Sequence, residues 1–334
     1  MTEKINNKSA RAKKIIVILI IAAVLTAAYV ALFMVSDSYI RAVMNVLLYN
    51  IVLVLGLNFI TGLTGQMNMA TAGMMALGAY SFAIADTTYA INPWVSFLAV
   101  LAIGLAIGRA LGYPSLRLKG FFLSLTTIGF NEVVRITVNN LTDITGGTLG
   151  FSNIVRLPFF FEFTDRNSYF YINIIFTLVM IAIAILIVNS KWGRAYKAIR
   201  DNYEAAEATG INISKLKIQA FTLAAIYSVV GGVMYAGYSQ YLNPTAFATS
   251  YSQNYVAMLM VGGIGSVPGN ILGAALVTVL PEILRTFQNY YWVVFSTICL
   301  LMAIFIPDGL WSVGTKAVRK IKKRIAAKQA KEVE

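Results

Sequence analysis

Glu132 and Arg135 are charged residues set in an apolar stretch, three apart and therefore on one helical face, close enough to pair. Charge inside a membrane span is costly. It marks either a polar route through the span or an ion pair that locks two helices near the interface. A second interruption is Thr61-Gly62-Leu63-Thr64-Gly65-Gln66-Met67-Asn68-Met69-Ala70-Thr71-Ala72-Gly73, where glycines and amide or hydroxyl side chains break an apolar region. Such a break survives at membrane depth only where protein or a water-filled cavity satisfies the freed backbone groups. Half-helix ends in such breaks can supply dipoles to a polar cargo; a tight loop with glycines for helix packing gives the same pattern. Bond-making chemistry has little to work with. There is no histidine, which removes His-based catalysis and the commonest metal ligand. The single cysteine, Cys299, allows no internal disulfide. The motifs G-x-x-x-x-G-K-[ST], G-x-S-x-G and H-E-x-x-H do not occur. No catalytic residue and no metal site is expected.

The elements that hold these residues are apolar throughout. The chain is 58% hydrophobic and only 12% charged, far from the balance of a soluble domain. Apolar runs recur at 15–35, 42–60, 69–85, 94–112, 121–138, 169–188, 218–240, 254–264, 270–284 and 291–306. Most approach or exceed the roughly 17–25 residues that cross about 30 Å of hydrocarbon as a helix. The expected fold is all-α, a polytopic helical membrane protein with about ten transmembrane helices. A β-barrel would need alternating strands, and none is visible. The run 15–35 is longer than the apolar core of a signal peptide and is expected to remain as the first helix.

The net charge of +13 is placed asymmetrically. With alternating spans and an inner N-terminus, 22 basic residues fall on one side and five on the other, the five being Arg41, Arg135, Arg156, Arg166 and Arg285. That positive-inside pattern predicts an inner-membrane, multi-pass chain with both termini cytoplasmic. The organisation expected is a basic cytoplasmic N-terminus over 1–14, a transmembrane domain over 15–306 and a basic cytoplasmic tail over 307–334. The tail suits anionic lipid headgroups; no nucleic-acid partner is expected.

Between two long apolar runs lies a charged segment, 190–217, with six basic and three acidic residues. Asp201 and Glu204 have the spacing of a capping box. Glu204-Ala205-Ala206-Glu207-Ala208 favours helix, and Gly210 suits the left-handed position that ends one. The pattern predicts a short capped helix from Asp201 to Gly210, with alanines that admit a close partner and with Arg194, Lys197 and Arg200 flanking it. A soluble docking partner explains this better than a linker lying on headgroups.

A second glycine break, Gly262-Gly263-Ile264-Gly265-Ser266-Val267-Pro268-Gly269, repeats the spacing of Gly62 and Gly65. Glu282 and Arg285, followed by Asn289, echo Glu132, Arg135 and Asn139. The offsets of the two echoes differ, so they do not establish a collinear repeat.

Glu204-Ala205-Ala206 followed by Gly210 resembles the EAA loop of ABC-importer permeases. Further stretches narrow the likeness: Tyr113-Pro114-Ser115-Leu116-Arg117-Leu118-Lys119-Gly120, then Gly129-Phe130-Asn131-Glu132-Val133-Val134-Arg135, then Thr145-Gly146-Gly147. Gly193-Arg194-Ala195, Ala198-Ile199-Arg200, Asn243-Pro244 and Gly262-Gly263-Ile264-Gly265-Ser266 complete the order. Over about residues 50–310 the chain is similar to branched-chain amino acid permeases of the LivM type.

The resemblance implies an ABC importer permease that carries leucine, isoleucine or valine, binds no cofactor itself, and relies on ATP and Mg used by partner subunits. Its implied partners are a second related permease, two ATP-binding cassette subunits, an extracytoplasmic substrate-binding protein and membrane lipid. Coupling to the ATPase would fall to Arg194, Arg200, Glu204, Ala205, Ala206, Glu207 and Gly210, and the translocation pathway to Gln66, Asn68, Thr127, Asn131, Glu132 and Arg135. Where relatives commonly follow Gly-Gln with Ser-Leu-Gly, this chain has Met67-Asn68-Met69-Ala70, and the Ile-x-Leu-Pro of the general loop is absent after Gly210. Permeases for nucleosides or for urea and short amides are alternatives within the class, and an ion-coupled secondary transporter is the alternative outside it.

Overall fold

The computed structural model describes residues 29–34, 36–118, 120–154, 156–157, 169–284, 291–306 and 309–312. The expected N-terminal segment 1–14, most of the run 15–35, Arg285 and Asn289, and nearly all of the tail lie outside the described residues. The chain divides into two compact units, Met1–Met44 and Asn45–Glu334. In the first, Arg41 donates to the carbonyls of Phe33 and Met34 and lies over the Phe33 ring, 5.5 Å from its centroid. Those carbonyls end the helical stretch 29–34, where a cation meets the negative end of the peptide dipoles.

The principal helices are α1 Ser38–Leu57, α2 Thr71–Thr87, α3 Pro93–Gly112, α4 Phe121–Asn140, α5 Tyr169–Asn189 and α6 Lys191–Asp201. They continue with α7 Tyr203–Ala208, α8 Ile213–Ser239, α9 Thr249–Gly262, α10 Val267–Leu284 and α11 Tyr291–Phe305. A π-helical turn, Asn58–Gly62, extends α1. Among the described residues, six helices are long and apolar enough to cross a membrane: Ser38–Gly62, Pro93–Arg117, Phe121–Asn140, Tyr169–Asn189, Ile213–Ser239 and Val267–Leu284. Helices α2, α9 and α11 correspond to three further expected spans but have only 17, 14 and 15 residues. The sole strands among the described residues are β1 Phe151–Ser152 and β2 Tyr241–Leu242, antiparallel, with Phe151 opposite Leu242 and Ser152 opposite Tyr241.

Helix α8 is the axis of the larger unit and packs along α2 and α3. Small residues let it do so. Gly104, Gly108 and Gly112 follow one another at four-residue intervals, so they form a single smooth face of α3. A Cβ at each would lie 2.8 Å from Val229, 2.4 Å from Thr222 and 3.0 Å from Ile218 respectively, all on α8. Gly78 of α2 meets Val229 as closely. With no water to expel between helices in lipid, such close backbone approach and interhelical hydrogen bonds supply the attraction. Phe59 adds an edge-to-face contact with Tyr227, whose hydroxyl donates to the Met180 carbonyl.

Helices α1 and α8 are mostly buried, whereas α3, α4, α5 and α10 present most of their length outward. Polar ties hold α1 to two of these outer helices. Asn173 of α5 donates to Asn45, Thr177 to the Leu48 carbonyl, and Asn50 to Thr278 of α10. The glycine contacts have a direct consequence. Gly78→Ala forces Val229 backbone apart and should lower the stability of the purified chain by about 1–3 kcal/mol. Gly129→Ala, where an added Cβ meets nothing within 4 Å, should be neutral or stabilise by up to about 1 kcal/mol. Thermal unfolding of both variants in detergent checks the contrast.

Candidate functional site

The first site is a knot of hydrogen bonds where two short helices begin against the middle of α4. Between the π turn and α2 the chain runs without regular structure, so the first amides of α2 and those just before it have no helical acceptors. Side chains supply acceptors instead. The amide of Met69 donates to Thr127, that of Ala70 to Asn68, that of Ala72 to Ser252 and that of Gly73 to the Asn131 carbonyl oxygen. Asn131 is completely buried; its amide group donates to the Phe247 carbonyl and to Thr249 at the start of α9. Thr249 in turn donates to Glu132, which pairs with Arg135 at 2.8 Å. One asparagine thus joins α2, α4 and α9.

The structure therefore brings together Asn68, Thr127, Asn131, Glu132 and Arg135. The first three are buried to 1% exposure or less, while the ion pair is about one-third exposed. Gln66 stands apart from these bonds. Three buried polar atoms on the stretch 66–71, Gln66 Oε1, Asn68 Nδ2 and Thr71 Oγ1, have no hydrogen-bond partner among the described residues. Sequence reasoning missed Thr249 and Ser252. Their signal was available: two hydroxyl residues three apart, opening an apolar helix after Asn243-Pro244.

The second site is the charged segment, which differs from the single helix expected. Two helices form, meeting at Asn202. Helix α6 is capped by Ser190, which accepts from the Trp192 amide, and buries Gly193, Tyr196 and Ile199. Burial pushes the Tyr196 phenol up to about 12, so it stays neutral at any physiological pH. The expected cap, Asp201, instead ends α6. Asn202, in extended conformation, accepts from the Ala205 amide and starts α7. The reason is geometric: a cap must leave the helical region one residue before the helix, and only Asn202 does.

Helix α7 ends in a Schellman motif. The amide of Ile211 donates to the Ala206 carbonyl and that of Gly210 to Glu207, with Gly210 left-handed at φ +78°. Ala206 is buried, so only part of the alanine pair is open to a partner; Glu204, Ala205, Glu207 and Gly210 are exposed. The Lys217 ammonium sits 5.2 Å from the centroid of the Tyr203 ring and fastens α7 to α8. Arg194 is exposed. Arg200 is exposed too, yet its Nη1 donates to the Gly62 carbonyl at 2.9 Å.

A family profile described as the branched-chain amino acid transport system permease component matches residues 39–304. The high-affinity branched-chain amino acid transport system permease protein LivM of Salmonella typhimurium is 32% identical over 83% of this chain and 71% of its own. The Escherichia coli LivM protein is 31% identical over the same shares. The LivH permease protein of the same system in Salmonella typhimurium is 25% identical over 80% of this chain and 92% of its own. No solved structure matches the chain.

Each site generates an expectation. Asn131→Ala leaves the Gly73 amide and the Phe247 carbonyl buried without partners and should destabilise the chain by about 1–3 kcal/mol per orphaned group. A lowered unfolding midpoint checks this. Asn202→Ala should cost about 1 kcal/mol of α7 stability and Asp201→Ala far less, read as faster amide exchange at Ala205 in the first variant alone.

Proposed function

This chain belongs to the family of branched-chain amino acid transport system permease components, and from that premise we propose that it is the permease subunit of an ATP-driven ABC importer for leucine, isoleucine and valine. The chain is a multi-pass membrane protein. In the proposed arrangement it lies in the cytoplasmic membrane with both termini and the segment 190–217 on the cytoplasmic side. It pairs with a second related permease, receives cargo from an extracytoplasmic binding protein and is driven by two ATP-binding cassette subunits. ATP and Mg are used by those subunits, and this chain does no covalent chemistry.

The observation that carries the reading is α7. A six-residue helix with a cap at each end, acidic residues outward and one alanine inward is far more ordered than a connection between two spans requires. Its exposed side is a surface on which a partner can push. Closure of the ATPase pair would then favour one arrangement of the helices over another, which is what alternating access needs.

The pathway is proposed to run along α4. That helix presents most of its length outward, yet carries a partly exposed ion pair, which a lipid-facing helix would not tolerate. The unpartnered oxygens and nitrogen of Gln66, Asn68 and Thr71 supply hydrogen-bonding capacity on the stretch 66–71.

The test is uptake of labelled leucine into proteoliposomes holding the assembled transporter. Gly210→Val strains the left-handed position where nothing else obstructs a side chain, and Glu204→Ala removes an outward charge. Both should lower uptake about tenfold or more while insertion is unchanged and ATP hydrolysis persists. Normal uptake by both variants overturns the coupling assignment. Uptake of a nucleoside or short amide in place of leucine overturns the cargo, and uptake driven by an ion gradient without ATP overturns the class.

A further inference from the structure

Two glycine breaks far apart in sequence, 62–65 and 263–265, meet around one side chain. Arg200 Nη1 donates to the carbonyl of Gly62, at the C-terminal end of the π turn, where the peptide dipoles leave partial negative charge. Gly65 and Gly265 are both left-handed, at φ +71° and +80°. A Cβ on Gly65 would lie 2.9 Å from Arg200 Cγ, and one on Gly265 would lie 3.1 Å from its Nη1. The Arg200 side chain, about one-third exposed, therefore lies across a slot whose two walls are bare backbone. The walls are also joined to each other: the buried Asn58 side chain accepts from the Gly265 amide at 2.9 Å.

We propose that Arg200 is the positioning residue that carries displacement of α6 and α7 into both glycine breaks at once. This rests on the reading that α7 receives an ATPase. Arg200 stands in the last turn of α6, directly before the Asn202 junction, so movement of α7 reaches it through two residues. Helix α6 is anchored at its start by the Ser190 cap and, into its last turn, by buried Tyr196 and Ile199, so it moves as one piece and carries Arg200 with it. The Gly62 break leads along the chain to the amides that Thr127 and Asn131 hold. The Gly265 break joins α9, which Asn131 also holds, to α10. One guanidinium at the bundle end thus touches the two segments that converge again at the knot.

Arginine suits the post because its charge is permanent and its planar fork can hold a carbonyl while lying flat against backbone. The neighbouring Asp201 carboxylate, 3.4 Å from Nε, faces the same head group from outside the slot. A side chain at either glycine would be strained by its left-handed backbone, which leaves the space beside them to Arg200 reaching over from α6.

Two measurements test this on the full chain. In lipid nanodiscs, without partners, Arg200→Gln should speed amide exchange about tenfold at both 58–66 and 263–270 while 223–238 is unaffected. In proteoliposomes with the partner subunits, the same variant should keep ATP hydrolysis within about twofold of wild type and lose uptake about tenfold, with Arg200→Lys in between. Unchanged exchange at either break overturns the link. Normal uptake per ATP overturns its role in transmission, and loss of the ATPase subunits from the purified variant makes Arg200 a docking contact instead. Absence of ATP-dependent uptake by the wild-type assembly defeats the importer reading, and the exchange measurement still decides whether Arg200 joins the breaks.

Discussion

A peptide group released from a helix inside an apolar bundle has to find a partner within the protein. In hydrocarbon each group left bare costs several kcal/mol, and no solvent is there to take it. This chain breaks its helices after Gly62, before Thr71, before Thr249 and between Gly262 and Val267, so the constraint applies repeatedly. Each break is closed by a polar side chain from elsewhere in the sequence: Arg200 at Gly62, Asn58 at Gly265, Asn131 at the start of α9, and Thr127, Asn131 and Ser252 at the start of α2. Of the buried polar residues of the bundle, Asn58, Thr127, Asn131 and Ser252 serve that duty, while Asn45, Asn50, Asn173 and Thr177 tie α1 to α5 and α10.

The same arrangement gives the bundle places where it can change shape. A continuous helix of 20 residues moves as a rod, whereas a break held by one or two side-chain bonds offers two discrete states at modest cost. Close-packed glycine faces do the opposite work. The line of Gly104, Gly108 and Gly112 against α8 leaves no slack, so α3 and α8 act together as a stiff frame. Stiff and breakable contacts meet on α2, which packs tightly on α8 through Gly78 while its first turn is held by side chains of α4 and α9.

Much of this architecture is legible in the amino-acid sequence. The apolar runs locate the helices to within a few residues, since nothing but helix can hold such runs in lipid. The charged segment declares a separate surface helix, and Gly210 falls where expected because a left-handed terminus has few other occupants. The cap lies one residue beyond its expected place. Asp201 and Asn202 are both good caps, and composition cannot tell which of two adjacent residues leaves the helical region; the burial of Tyr196 and Ile199, which keeps α6 helical through Asp201, makes that choice. The partial burial of the alanine pair has the same origin, because the rotation of a six-residue helix depends on what it lies against.

Sequence by itself determined the class of protein, the helices, the two glycine breaks and the polar residues near them, because hydrophobicity, charge placement and glycine content are local quantities. Tertiary structure alone decided that the two breaks adjoin each other, that Arg200 lies across the slot between them and that Asn131 ties three helices at one point. Residues 62 and 265 are brought together by the packing of whole helices, and no local pattern encodes the distance between them. The identity of each partner in a buried hydrogen bond is a property of that packing, and it is where the sequence acquires its mechanism.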